Sequence, residues 1–177
     1  SRERVRSALR NSGMEYPVGH YTINLAPADM KKEGPSFDLP IAVGVLVCAE
    51  AISQSSLDGV MMSGELALSG AVNMINGALP MAIAARELGY KRLILPRGNA
   101  DEARCISGID IIPVDTIADV MDCLNCTRPI KPLAASTYDD LISAREYSSD
   151  FADVHGQRAA KRALEIAAAG SHNVIMV

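Results

Sequence analysis

Asp150-Phe-Ala-Asp-Val-His-Gly-Gln157, a helical stretch, and then Ser171-His-Asn-Val-Ile-Met-Val177 close the 177-residue chain. The order is loop, helix, apolar run. Val174 to Val177 is apolar without alternation, which suits a central strand of a parallel sheet covered on both faces. One strand does not make a sheet, so further strands are expected beyond Val177. In nucleotide-binding α/β domains the residues after such a strand form the phosphate-cradling loop, G-x-x-x-x-G-K followed by Ser or Thr. That motif occurs nowhere in the chain. The expectation is a chain cut just before an ATP site.

Working outward, 49% hydrophobic and 21% charged residues describe a globular chain, not a disordered one. With no Trp and 4% aromatic residues the core must be aliphatic. The net charge is −4. A module that grips nucleic acid by itself is usually basic, so this balance argues against the chain being the main DNA contact. The longest apolar run, Leu39 to Ala49, is shorter than the roughly 20 residues a bilayer span needs. The N-terminus alternates charge without the apolar stretch of a signal peptide. No membrane association and a cytoplasmic location follow as expectations. Cys48, Cys105, Cys123 and Cys126 then read as free thiols. Cys123 and Cys126 form a C-x-x-C, but no second pair or histidine lies at ligand spacing, so no metal is expected.

The elements alternate. A helix is predicted over Arg2 to Asn11, burying Val5, Ala8 and Leu9, and a strand over His20 to Leu25. A polar loop with Lys31 and Lys32 follows, then a core helix from Phe37 to Ile52 capped by Ser36, with Asp38 at the positive end of its dipole. Val60 to Leu68 reads as a strand with a bulge at Gly64. Helices at Leu79–Leu88, Ala100–Ile106 and Thr116–Leu124 alternate with strands at Arg92–Leu95 and Asp110–Val114. Mixed α/β or α+β layers are implied. The composition changes near residue 126. Residues 127–149, with Pro129, Pro132 and a helix over Tyr138 to Tyr147, read as a linker. The last helix spans Gln157 to Ala169, with Ala160, Ala163, Leu164 and Ala167 facing inward.

Lys32-Glu-Gly-Pro-Ser-Phe-Asp-Leu-Pro40 is the sharpest chemical signal. A serine after Gly-Pro at the start of a buried helix could be the nucleophile of a Ser/Lys dyad. The plainer reading makes Ser36 a helix cap, because Gly77 to Leu88 carries no lysine to serve as base. Glu65, inside a strand, needs a partner, and an ion pair is the simpler role. His20, His155 and His172 show no ligand spacing. Val154, His155, Gly156 and Gln157 lie where backbone passes the adenine in a nucleotide-binding fold, Gly156 allowing close approach.

Six stretches carry a family resemblance: Glu3 to Gly13, Ile23 to Asp29, Lys32 to Ala42, Gly64 to Gly70, Leu79 to Ala85, and Ala160 to Gly170 with His172 and Asn173. The chain resembles the Mg-chelatase-like AAA+ ATPases of bacteria, the YifB/ComM group. The resemblance implies a Lon-protease-type (ChlI-type) domain over residues 1–126, missing its first part, a linker over 127–149, and the first helix and strand of an AAA+ P-loop domain over 150–177. Ser36 stands where Lon has its serine. Lon's lysine would align near Leu79, so the resemblance implies a Lon-like fold without peptidase activity and Ser36 as a vestige. It also implies ATP and Mg²⁺ in the full-length protein but none bound to this part. Val154 to Gln157 would lie on the adenine side. A hexameric ring acting on DNA in branch migration is the implied whole. Relatives carry basic residues where this chain has Asn73-Met-Ile-Asn76. The alternatives are an active Ser-Lys peptidase using Ser36 and the ATPase subunit of a magnesium chelatase.

Overall fold

The computed structural model describes residues 2–17, 19, 21–25, 34–137, 149–170 and 172–176. The chain divides into two units, Ser1–Leu141 and Ile142–Val177.

Three parallel strands centre the first unit: β1 (Val60–Met62), β4 (Arg92–Pro96) and β5 (Asp110–Val114), in the order β1-β4-β5. Val60 pairs with Arg92, and Arg92 with Asp110. A short antiparallel pair, β2 (Glu65–Leu66) and β3 (Val72–Asn73), stands beside it. Helices cover both faces of the parallel sheet, which explains its unbroken apolar strands. On one side Ile94, Ile112 and Val114 pack with α1 (Arg2–Asn11), α2 (Asp38–Cys48) and α5 (Ile117–Leu124). On the other, Leu93, Leu95 and Ile111 pack with α3 (Ala78–Glu87) and α4 (Arg97–Ala103). Adjacent residues of one strand thus serve opposite cores, as the two-residue pleat requires.

Val5, Ala8 and Leu9 of α1 are buried as expected. Arg4 reaches across to Asp38 in the first turn of α2, with Nε 2.8 Å from the fully buried carboxylate. The charge opposes the exposed amides of the helix start, and the pair ties α1 to α2.

Four expectations for the first unit need correction. The single strand over Val60 to Leu68 is two, in different sheets, and the chain changes sheet at Ser63–Gly64. A Cβ on Gly64 would stand 2.6 Å from Val72 Cγ1, so only glycine fits the crossover. The core helix starts at Asp38 and stops at Cys48, because Glu50 turns left-handed (φ 60). The Glu50 and Ala51 amides then bond the Val47 and Leu46 carbonyls, a Schellman stop. Ile52 is buried beyond it, which is why the apolar run looked helical. The Ala100–Ile106 helix begins at Arg97 and ends at Ala103. Residues 21–25 are irregular, although they alternate like a strand. A strand exists by pairing, and nothing among the described residues pairs with them. The helix expected over Tyr138 to Tyr147 lies outside the described residues.

After α5 the chain runs back over the first unit. The Leu133 amide donates to the Ile111 carbonyl (2.9 Å), and the Ser136 amide to that of Arg104 (3.3 Å).

Among its described residues the second unit holds one 3-10 turn (Phe151–Asp153) and α6 (Arg158–Gly170). Asp150 caps the turn, accepting from the Ala152 amide (2.8 Å), while the Asp150 amide donates to Asp153 (3.0 Å). Residues 172–176 are irregular and exposed, including 174–176 of the strand expected over Val174 to Val177, whose last residue lies outside the described ones. Here too no neighbouring strand exists among the described residues.

Candidate functional site

The serine turn is built by a 3-10 turn, Pro35–Phe37, that runs into α2. Gly34 enters it at φ 97, a conformation closed to most other residues. Ser36 does not cap α2, because the residue before the helix is Phe37 and no side chain bonds the first amides. What holds Ser36 is its carbonyl, which accepts from Ser63 Oγ (3.0 Å) and from the Gly64 amide (3.1 Å). The Leu39 amide returns a bond to the Gly64 carbonyl (3.1 Å). The strand crossover and the serine turn are therefore stitched together, with Ser63 buried between them.

Ser36 lines a recess of about 270 Å³ with Gly34, Pro35, Glu65, Met74 and Asn76. The far wall is fixed by the buried Asn99. Its Oδ1 accepts from the Ile75 amide (2.8 Å), and its Nδ2 donates to the Ile75 carbonyl (2.9 Å) and to Glu102 (3.0 Å). Neither Asn99 nor Ser63 stands out in the sequence, since both act through long-range backbone contacts. Glu65 is the ionisable side chain of the recess. It has no ion-pair partner among the described residues, against the pairing expected for it. The Ser36 hydroxyl likewise has no hydrogen-bond partner among them. Leu79, near which the resemblance would place Lon's lysine, lies in the first turn of α3 (Ala78–Glu87), whose sequence contains no lysine. Lys31 and Lys32 lie outside the described residues. A serine hydroxyl needs a neighbouring base to act as a nucleophile at neutral pH, and the ionisable group that the described lining offers is Glu65.

Val154, His155, Gly156 and Gln157 are all exposed. Gly156 and Gln157 turn left-handed in succession (φ 72 and 48). Lys161 of α6 donates to the Val154 carbonyl, which folds the turn onto the helix start. No atom lies within 4 Å of where a Cβ on Gly156 would stand. The backbone here is open to a flat ligand.

The C-x-x-C straddles the end of α5. Cys123 is buried in its last turn, whereas Cys126 is exposed at the left-handed stop (φ 56). Burial pushes the Cys123 thiol above its ordinary value, partly offset by the positive charge of Arg92. Among the described residues no three His, Cys, Asp or Glu side chains form a metal-binding group. No helix among them is long and apolar enough to cross a membrane.

A family model described as subunit ChlI of Mg-chelatase matches residues 1–99, and another, magnesium chelatase, subunit ChlI, matches residues 150–177. Competence protein ComM of Haemophilus influenzae is 40% identical over 181 residues, covering 100% of this chain and 35% of that protein. The uncharacterized protein YifB of Escherichia coli is 41% identical over 177 residues, covering 100% of this chain and 34% of its own length. The chain belongs to the Mg-chelatase-like YifB/ComM family. It spans about a third of the length of these YifB/ComM relatives. Lon protease 2 of Bacillus subtilis is 36% identical over 122 residues, or 68% of this chain and 21% of that one. That match, with the parallel sheet and the helices on its two faces, makes the first unit of this YifB/ComM chain Lon-like.

Proposed function

We propose that this chain is the Lon-like, non-peptidase part of an ATP-driven protein that remodels DNA, and that in the full-length protein it helps assemble a hexameric ring. The observation that carries the reading is a serine turn kept in shape with no lysine lining its recess among the described residues, in a chain whose whole length aligns with part of a competence protein. The clamp on the Ser36 carbonyl accounts for the turn as architecture.

ATP would supply the energy and Mg²⁺ would neutralise its phosphates. The open Val154–Gln157 turn fits the base-side edge of such a site, through backbone rather than side-chain chemistry. No residue of this chain is assigned to the phosphates or the metal, because the sequence has no phosphate loop.

The test is ATP hydrolysis by the full-length protein with and without branched DNA, beside a peptidase assay on unfolded casein. The expected result is DNA-stimulated hydrolysis, and no cleavage by either the wild type or Ser36→Ala. Casein cleavage abolished by Ser36→Ala would overturn the non-peptidase reading in favour of the Lon-type peptidase. Hydrolysis indifferent to DNA would sink the remodelling role.

A further inference from the structure

Arg2, Arg6 and Arg10 recur every fourth residue along α1 and line one recess of about 400 Å³ with Tyr16, Pro17 and Gly19. A second recess of about 240 Å³ shares Arg2, Tyr16 and Gly19 and adds Tyr21 and Ile23. The two form one groove, with a ladder of guanidinium groups leading to a pair of tyrosines. The Arg6 guanidinium stands 5.8 Å from the Tyr16 ring centre. Tyr16 and Tyr21 meet edge to face, with centres 6.4 Å apart.

Helix stability does not explain this arrangement. Arg4, on another face of the helix, is paired with Asp38, but the three groove arginines have no carboxylate partner among the described residues. Like charges four residues apart destabilise a helix. Arg2 also places a cation at the helix N-terminus, where the dipole disfavours it. Neither Glu3 nor Glu15, the acidic residues nearest in sequence, lines either recess.

We infer that this groove binds single-stranded nucleic acid, the arginines holding successive phosphates and the tyrosines stacking on bases. One step of the ladder rises about 6 Å, comparable to the spacing of phosphates along an extended strand. A repeating ladder matches a repeating anion, whereas one phosphorylated side chain would use one rung. The tyrosines favour an unpaired strand, since bases stacked inside a duplex present no free face to an aromatic ring. The net charge of −4 does not oppose this, because phosphate contacts read local charge density. The inference deepens the DNA-remodelling reading and rests on it for the choice of polymer.

The test is fluorescence anisotropy of labelled oligo-dT 20-mer with the full-length protein across a salt series. Arg2→Ala/Arg6→Ala/Arg10→Ala should weaken binding at least about tenfold and lower the salt slope by about 2. The three exposed substitutions should not lower the melting temperature, and the triple Lys version should recover most of the slope. Tyr16→Leu should weaken binding without altering the slope. Wild-type affinity and slope in the triple Ala variant would overturn the site. So would tighter binding of a phosphoserine peptide that is lost in the same variant. If the triple variant binds normally while branched DNA still stimulates ATP hydrolysis, the groove is wrong and the remodelling role stands. If the wild type neither binds the oligonucleotide nor responds to DNA, both fail together.

Discussion

Helices α1 and α6 are both amphipathic, and α6 is the longer, at 13 residues against 10. The shorter one buries Val5, Ala8 and Leu9 against α2 and the sheet. The longer one buries Ala167 and leaves Ile166 53% exposed. Of the residues expected to face inward on α6, Ala160 and Leu164 are half-buried and Ala163 is exposed. Periodicity says which face of a helix could be covered; the density of partners decides whether it is. In the first unit a sheet supplies those partners, and among the described residues of the second unit one helix and one turn do not.

The largest expected contrast is between Leu9→Ala and Leu164→Ala. The first should cost about 3 kcal/mol, the usual toll of a cavity in a packed aliphatic core. The second should stay within about 0.5 kcal/mol. Urea unfolding of the chain, followed by hydrogen exchange in each helix, measures both, and equal costs would erase the distinction between the helices. Ion pairs sharpen the same contrast. Arg4→Ala strands a buried carboxylate, and should cost about 2 kcal/mol once the partial exposure of Arg4 is allowed for. Arg162 pairs with Glu165 at 3.0 Å on the open surface of α6, so Arg162→Ala should change stability by less than about 0.5 kcal/mol. A double-mutant cycle on each pair reads the difference.

The smallest effect concerns the thiols of α5. Burial raises the Cys123 thiol above its ordinary 9.0, so above that pH the unfolded chain releases a proton that the folded one keeps. The contribution is fully present below the unfolded value and is lost as pH rises through the folded one. Stability should therefore decline slightly on the alkaline side in the wild type, and less in Cys123→Ala. Iodoacetamide at pH 8 should label the exposed Cys126 well before Cys123. Labelling at equal rates would mean that the end of α5 is open.

What the sequence disclosed follows the reach of the interactions involved. The extents of α1 and β5, and the Thr116 start of α5, were legible because they rest on local periodicity and capping. Thr116 accepts from the Asp119 amide while Asp119 accepts from the Thr116 amide, a reciprocal bond set by spacing alone. The end of α2 was not legible, because Ile52 stays buried after the helix has stopped and hydropathy cannot separate the two. The break at Gly64 was read as a bulge, since the choice between bulge and crossover depends on Val72 approaching from eight residues away. The Ser36 position was found from Gly-Pro-Ser, but its role as a clamped carbonyl depends on Ser63, twenty-seven residues on. The strands expected at 20–25 and 174–177 are irregular over their described residues, 21–25 and 174–176, for one reason. Alternation and hydropathy describe a strand's side chains, but its backbone needs a neighbour.

The run of chain after α5 has one more consequence. β5 lies at the edge of its sheet, and an edge strand offers a row of carbonyls and amides on which another molecule can polymerise. Ile111 presents its carbonyl on the side away from β4, and Leu133 occupies it. The stretch that reads as a tether between two units thus works as a guard against aggregation, by taking the place a stranger's strand would otherwise fill.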